Sequence, residues 1–355
     1  MAQVIPAAYG FDIFVGIDDS KSKLSFTVMN ELSLISSKTI PSDPENVYNY
    51  MRRHFPDKRA LYAYEAGPTG FRLYDYLTAK GECCFVVSPA SLLKAANQRV
   101  KNNRIDSLKI ASQLKAGELH SIRIPEGPYR EVRYLIELRE NYAQNQRAAK
   151  QRIKSLLLYT GLHTCLPDTD MRWSNHYLCL LKELSCSEIM RQKLNMLLAD
   201  LAYFRAQALV VLRQLRNFCQ RHEEINEYRN YLQSIPGIGL ITSLTILARI
   251  GDPRNLRNPR ELAAFAGLVP TEKSTGDSIQ HGSITHLGNP MLRSALIEAA
   301  WVAIRGDTEL RQFYERIRSR HHPGIGAQKA IVAVARKLTQ RIYCVLKEKR
   351  NYTVH

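Results

Sequence analysis

FDIFVGID, residues 11–18, is an apolar, β-rich run that ends on a carboxylate, Asp18. The polar residues DSKSK separate it from a second β-rich run, LSFTVMN (24–30), an arrangement typical of a hairpin. LSLISSKTI (32–40) can supply a third strand. The stretch therefore predicts the start of a sheet in which consecutive strands pair with one another.

Two further apolar runs follow and alternate with helical segments. ALYAYEA (60–66) and CCFVVSP (83–89) are too short for helices and are bounded by turn residues. A helix is predicted from Pro44 to about residue 54, and GFRLYDYLTAKG, between the two runs, has apolar residues at helical spacing. Early strand pairing followed by alternation predicts an α/β domain over residues 1–125, with a mixed sheet covered by helices.

From Gly127 onward the sequence is mainly helical. A stretch of about 30 residues without internal Gly or Pro is followed by a second long one over 187–224. Together they predict an antiparallel coiled-coil hairpin within a central region, 126–226. The last part, 227–355, is predicted to be a helical domain with loop interruptions.

The charge balance indicates a polyanionic partner. Fifty Lys and Arg against 33 Asp and Glu give a net charge of +17, which favours nucleic acid over an anionic membrane. No run of about 18 apolar residues exists and the N-terminus lacks signal-peptide order, so no membrane association and a cytoplasmic location are expected. The seven cysteines form no CxxC pair or Cys/His ligand spacing, which favours free thiols over zinc or disulfides.

Basic side chains are concentrated in the first long helical stretch. Residues 130–154 carry seven Lys or Arg against three Glu. A solvated helix face and contact with a nucleic-acid backbone both explain this pattern. The candidate nucleic-acid contacts are Arg147, Lys150, Arg152 and Lys154.

Carboxylates end two of the predicted strands. Asp18 closes the first strand and Glu65 closes ALYAYE, while Asp106 lies on a predicted helix with Asn103 three residues earlier on the same face. Converging oxygens are what Mg²⁺ at a phosphate requires, and two such ions can clamp the attacking and leaving oxygens of a phosphodiester. Each acid taken singly also fits a turn or helix cap, and Asp19 is interpreted as a turn residue.

A Pro-Gly-Ile-Gly turn lies inside SIPGIGLITSLTILARIGD (234–252). In helix–hairpin–helix modules, glycines let backbone N–H groups at a helix N-terminus approach a phosphate, which indicates Gly237 and Gly239. An ordinary turn between two helices is the alternative interpretation.

The polar segment EKSTGDSIQHGSITHLGNP is too long for an ordinary connector. It offers the hydroxyls of Ser274, Thr275 and Ser278 beside Lys273 and Gly276. A hydroxyl nucleophile needs activation by a base or metal, and a backbone flexible enough to let it reach phosphorus. Lys273 is a further candidate nucleic-acid contact.

The order of strand-end Asp, strand-end Glu and a polar pair on a later helix is that of the ribonuclease H-like fold, and is similar to Holliday-junction resolvases. Taken with the other motifs, the chain resembles the DEDD-type insertion-sequence transposases of the IS110 type, which are bridge-RNA-guided serine recombinases. The motifs that carry the likeness are VGIDDSKSKL, YEAGPTG, VSPASLLKAANQRVKNNRIDSLKIASQLKAGEL, IPGIGLITSLTILARIGD and AAFAGLVPTEKSTGDSIQHGSITHLGNPMLRSALIEAAW.

This resemblance implies a RuvC-like N-terminal domain whose Asp-Glu-Asp-Asp set binds Mg²⁺, a coiled-coil region used in assembly, and a C-terminal transposase domain. The family's Ser-Ser/Thr-Gly motif falls on Ser274, Thr275 and Gly276, which makes Ser274 the nucleophile. The implied partners are double-stranded donor and target DNA, a structured guide RNA that pairs with both, and further copies of the chain in a dimer or tetramer.

The chain departs from the family at one functional position. The family's KTDxxDA run is KNNRIDS here, so Asn103 replaces the third carboxylate, Asn102 the threonine and Ser107 the alanine. Asn offers a carbonyl oxygen but no charge, which weakens metal binding. A natural variant with three acids, an engineered inactive form and a nuclease-dead relative all fit this sequence.

Two other functions remain open. A metal-dependent junction nuclease would release free DNA ends by water attack, without a covalent serine intermediate. A catalytically impaired RNA- or DNA-binding relative would retain only the basic surfaces.

Overall fold

The computed structural model describes residues 2–5, 10–88, 92, 103–167, 173–275, 278–285 and 287–353. The chain forms two compact units, Met1–Ile124 and Pro125–His355. The division of the second unit near residue 226 stays a prediction.

The first unit is built on a seven-stranded mixed sheet in the order β1-β7-β6-β5-β2-β3-β4. Its strands are Ala2–Val4 (β1), Ile13–Asp19 (β2), Lys23–Met29 (β3), Leu34–Pro41 (β4), Ala60–Glu65 (β5), Cys83–Val87 (β6) and His120–Ile122 (β7). Its helices are Pro44–His54 (α1), Arg72–Ala79 (α2) and Asn103–Lys115 (α3). The mixed sheet with covering helices that the sequence predicts is confirmed.

Strand pairing follows the predicted hairpin and then crosses over. β3 is antiparallel to both β2 and β4, whereas β5 runs parallel to both β2 and β6. Asp19, interpreted above as a turn residue, is instead the last residue of β2 and lies opposite Leu24. Its carboxylate accepts a hydrogen bond of 3.1 Å from the Ser42 hydroxyl.

The two faces of this sheet bury different sets of side chains. Alternate residues of β2 and β5, such as Ile17 and Tyr64, pack into one core with Val47 of α1 and Leu77 of α2. The residues between them pack into a second core with α3, formed by Phe14, Leu61, Ala63, Ile110 and Leu114. The sheet is therefore covered on both sides, as its nearly continuous apolar strands require.

Gly16 sets the distance between α3 and the sheet. A Cβ atom at this position would lie 2.2 Å from the Ala111 nitrogen and 2.3 Å from the Ser107 carbonyl oxygen. Both neighbours are backbone atoms of a packed helix, so neither can rotate away. Only glycine allows α3 to lie this close to β2.

Replacing Gly16 with alanine should lower the free energy of unfolding by about 3 kcal/mol or more, because α3 must move off the sheet. Gly67→Ala is the matched control, since its nearest neighbour would be 3.8 Å from the new Cβ. Urea unfolding followed by circular dichroism measures both. Equal stability of the two variants would contradict the close contact.

The second unit is helical apart from one small hairpin. Its first helices are Pro128–Tyr159 (α4), Asn175–Glu183 (α5), Glu188–Arg221 (α6), Glu223–Gln233 (α7), Leu240–Ile250 (α8) and Pro259–Phe265 (α9). Two strands follow, Pro270–Thr275 (β8) and Ser278–Ile284 (β9), and then Pro290–Gly306 (α10), Thr308–Arg318 (α11) and Pro323–Glu348 (α12).

The long helices α4 and α6 pack against each other in opposite directions, as the sequence predicts. Ile153 and Leu157 of α4 lie in one core with Leu194 and Leu198 of α6, and Trp173 closes it. By length and composition α6 is the one helix in the described residues able to cross a membrane, and 22% of its most apolar window is buried inside the structure.

The polar segment after α9 is predicted from the sequence to be a loop, but it contains two paired strands. β8 and β9 pair antiparallel, with Pro270 opposite Ile284 and Ser274 opposite Ile279. Thr and Ile favour extended backbone, but the polar residues around them made this preference hard to detect in the sequence.

A buried ion pair lies in the last helices. Asp307 is 1% exposed, caps α11 through the Leu310 N–H at 2.9 Å, and pairs with the Arg341 guanidinium of α12. The Tyr352 hydroxyl donates to the same carboxylate at 3.0 Å. Burial alone would raise the pKa of Asp307, but the hydrogen bonds from Leu310, Arg341 and Tyr352 lower it below the ordinary value of 3.8.

Replacing Arg341 with methionine should cost about 3–5 kcal/mol at neutral pH, because the Asp307 carboxylate stays buried without its cation. Since the pKa of Asp307 is lowered by folding, its contribution is complete above pH 3.8 and is lost as the pH falls through the folded value. Urea unfolding at pH 7 and at acid pH should show the gap between variant and wild type narrowing in acid. Lys337→Met, which removes a more exposed partner of Glu309, is the control and should cost less than about 1 kcal/mol.

Candidate functional site

Asp18 and Glu65 lie side by side at one end of the sheet and on one face of it. Ile17 is opposite Tyr64 in the parallel pair, so Asp18 and Glu65 are the next residues of two neighbouring strands. Side chains alternate between faces along a strand, and Ile17 and Tyr64 enter the core that contains α1 and α2. The two carboxylates therefore belong to the opposite face, which α3 covers.

The first turn of α3 lies at the same end of the sheet. Ser107 and Ala111 cross β2 at Gly16, while Ile110 and Leu114 pack with Phe14 further back, so α3 runs opposite to β2. Asp18 lies about 7 Å beyond Gly16 along the strand. The contact with Gly16 is centred midway between Ser107 and Ala111. Along the helix axis from that point, Asp106 lies about 5 Å and Asn103 about 9 Å further in the same direction. The fold thus brings the four predicted positions to one edge.

The donors at this edge suit Mg²⁺ in their chemistry, being three carboxylates and one amide oxygen. Thr69, in the loop after Glu65, has a buried hydroxyl oxygen without a hydrogen-bond partner among the described residues. The side chains themselves do not converge: across the described ranges, no three His, Cys, Asp or Glu side chains are grouped closely enough to hold a metal. The Asp106 carboxylate instead lies 3.9 Å from the Lys109 amine. The residues present therefore fit the ion in donor type, whereas their side chains are not grouped as a metal site.

Ser107, where the family pattern has alanine, is fully buried beneath this edge. Its hydroxyl lies 2.9 Å from the Thr27 hydroxyl of β3 and 3.0 Å from the Arg104 carbonyl oxygen. The extra oxygen is therefore satisfied inside the core, and this departure from the pattern carries no unpaired polar atom.

The two glycines of the Pro-Gly-Ile-Gly turn differ in their surroundings. Gly237 has φ +87°, and a Cβ there would lie 2.2 Å from the Ala299 carbonyl oxygen of α10. Close packing against α10 therefore explains this glycine without a ligand. Gly239 precedes α8 without a side-chain cap, and a Cβ there would meet no atom within 4 Å. Phosphate binding by either glycine stays a prediction.

Ser274 and Lys273 lie on β8, opposite Ile279 and Gln280 of β9. Gly276, which completes the Ser-Thr-Gly motif, lies outside the described residues. Ser274 and Thr275 are thus the last two residues of β8.

The four basic residues predicted to bind nucleic acid lie on different faces of α4. Lys150 and Lys154 are one turn apart, and Arg147 is exposed but pairs with Glu140 at 2.6 Å. Arg152 lies on the opposite flank, in a groove with Lys193 of α6. Sequence reasoning missed Arg205 of α6, which lies near Lys150, because contacts between distant helices leave no local signal.

The sequence favours buried free thiols, but only Cys84 and Cys219 of the seven free cysteines are buried, and Cys165, Cys179 and Cys344 are exposed. A buried Cys84 behaves as a small apolar residue, and burial raises the pKa of its thiol.

The sheet order, the strand-end acids and the covering helix define an α/β unit consistent with an RNase H-like DEDD fold. Residues 15–161 match the model of the DEDD transposase family of IS110, and residues 229–315 match that of the transposase family IS116/IS110/IS902. The chain belongs to the IS110-type insertion-sequence transposases.

Curated relatives agree with this family. The chain is 26% identical to y4qE of Sinorhizobium fredii, described as a transposase, over 83% of this chain and 77% of the relative. It is 26% identical to the transposase for insertion sequence element IS1111A of Coxiella burnetii, over 71% and 68% of the two chains. It is 32% identical to the pilin gene-inverting protein of Moraxella bovis, over 36% of this chain and 40% of the relative.

Proposed function

We propose that this protein is a DNA recombinase that moves an insertion sequence by cutting and rejoining double-stranded DNA at a serine nucleophile. The observation that carries the proposal is the placement of Asp18 and Glu65 on one face of neighbouring parallel strands, under the first turn of α3. The inversion of a pilin gene, named for the Moraxella relative, needs the same cutting and rejoining of DNA.

In this proposal Asp18, Glu65 and Asp106 hold Mg²⁺ as charged ligands, and Asn103 is a weak one. The ion would neutralise charge on the scissile phosphate and favour ionisation of the attacking hydroxyl. For this the Asp106 side chain would have to turn from Lys109 toward Asp18 and Glu65. The N-terminus of α3 adds a positive partial charge at the same edge, which favours bound phosphate.

Ser274 is the proposed nucleophile. Its Oγ attacks phosphorus, the bond from phosphorus to the 3′ oxygen breaks, and the hydroxyl proton ends on that 3′ oxygen. The DNA 5′ phosphate is then held as a serine ester. Because one phosphate ester replaces another, rejoining to a new 3′ hydroxyl needs no external energy source.

The remaining parts of the proposal concern binding. Arg147, Lys150, Arg152, Lys154, Lys273, Gly237 and Gly239 are the proposed contacts to nucleic-acid backbones, which position the duplex without reading its sequence. Sequence choice would come from a structured guide RNA that pairs with donor and target. Because recombination joins four DNA strands, we expect a dimer or tetramer of this chain at work. Its expected location is the cytoplasm.

Replacing Ser274 with alanine should abolish strand cleavage and the covalent protein–DNA species, because no water attack replaces the lost oxygen. Denaturing gels of protein incubated with nicked and intact DNA measure both. Thr275→Ala is the neighbouring control and should retain the covalent species. Cleavage that persists in Ser274→Ala, with free ends, would favour the metal-dependent nuclease instead.

Replacing Asn103 with aspartate should tighten Mg²⁺ binding in the absence of DNA by about tenfold, because a fourth carboxylate adds charge at the same edge. Isothermal titration calorimetry measures the affinity, and Mg²⁺-dependent cleavage is followed in parallel. Asn103→Ala should bind Mg²⁺ no better than wild type. Absence of cleavage in both wild type and Asn103→Asp, with RNA or DNA still bound tightly, would favour the impaired binder.

A further inference from the structure

Two cations are fixed on Trp173, the residue that leads into α5. The Lys150 amine lies 5.8 Å from the centre of the indole ring, and the Arg205 guanidinium donates a 2.8 Å hydrogen bond to the Trp173 carbonyl. Trp173 has φ +58°, a left-handed conformation that is uncommon for a bulky side chain. Its ring is buried and packs edge-on against Tyr177 at 5.5 Å, which holds it there.

In the described part of the chain, these cations lie outside any ion pair. Among the residues that the structure describes, no ion pair reaches Lys150, Lys154 or Arg205. Burial lowers the pKa of Lys150, and repulsion from Arg205 and Lys154 lowers it further. Arg147, nearby on α4, differs from these cations because its guanidinium pairs with the Glu140 carboxylate at 2.6 Å.

The cluster continues into a groove between α4, α6 and α8. This groove has a volume of about 330 Å³, is lined by Arg205, Arg139 and Gln146, and has the apolar side chains Ala208, Leu209, Leu212 and Ile241 along its walls. Arg139, Gln146 and Lys150 share one face of α4, since they are spaced by seven and then four residues. From Arg139 to Lys154 the helix rises about 22 Å, which matches about six phosphates of one B-form DNA strand.

We propose that Lys150, Lys154, Arg205 and Arg139, here named the Trp173 track, bind the phosphate backbone of one strand of the DNA that this enzyme recombines. Lys150, Lys154 and Arg205, which form no ion pair in the described residues, fit a row of phosphates. Arg139 lies 3.7 Å from the Glu140 carboxylate and extends the row. Each contact with a phosphate releases a condensed counterion. The inference rests on the proposed function. It narrows the proposed DNA contacts on α4 to one flank, because a strand bound there does not touch Arg152.

The test compares two charge-matched double variants. Lys150→Gln with Lys154→Gln removes two cations from the Trp173 track. The control, Lys182→Gln with Lys193→Gln, removes two exposed cations outside the proposed contacts, and Lys193 lines the groove on the opposite flank. Binding of a fluorescein-labelled DNA duplex of random sequence is measured by anisotropy over a range of salt concentrations. The track variant should lower the salt slope by about 2 and weaken binding roughly 30-fold at 0.15 M salt. The control should stay within about twofold of wild type.

Thermal unfolding separates binding from a structural role. The track variant should melt at the wild-type temperature or above, because it relieves repulsion around Lys150. Lys150→Arg with Lys154→Arg keeps the charges and should bind as wild type does, which would support the track even if the glutamine variant melted early.

Four results would overturn the proposal. An unchanged salt slope in the track variant, an equal loss in the control, or a loss seen with structured RNA alone would each exclude this DNA path while leaving DNA recombination in place. Wild-type protein that binds no duplex would overturn the proposed function as well.

Discussion

The acidic edge of the first unit depends on one contact, the approach of α3 to β2 at Gly16. A single Cβ atom there would collide with the backbone of Ser107 and Ala111. Because the helix lies directly on the strand, its first turn reaches the end of the sheet where Asp18, the next-to-last residue of β2, and Glu65, the last residue of β5, lie. One glycine therefore determines where Asn103 and Asp106 lie.

Much of this unit follows from local patterns in the sequence. Apolar runs bounded by turn residues locate β2, β3, β5 and β6, and Pro44 marks the start of α1. The shared face of Asp18 and Glu65 does not follow locally, because it depends on the register between two strands far apart in the chain. A slip of one residue would place Glu65 on the other face, away from α3.

In the second unit, local sequence patterns also predict the long helices. They do not predict the contacts between those helices. Absence of Gly and Pro over about 30 residues permits α4, whereas the pairing of Gln146 with the Phe204 carbonyl depends on packing between helices. The same holds for Arg205 on Trp173, and for Gly237, whose need for glycine comes from α10 rather than from its own turn. Residue type identified Gly237 but not Arg205, and only tertiary structure separates a packing role from a binding role.

The charge balance at the acidic edge suggests a reason for asparagine at position 103. Asp18, Glu65 and Asp106 carry three negative charges, one fewer than two divalent cations require. In the proposed reaction the scissile phosphate brings the fourth charge to the same edge, so charge is balanced only when DNA is bound. With aspartate at this position the balance would be complete before DNA arrives. An unpaired excess charge in a partly buried site is costly. If the proposed function holds with two Mg²⁺ ions, the asparagine would make metal occupancy depend on the substrate, which is compatible with catalysis by three carboxylates.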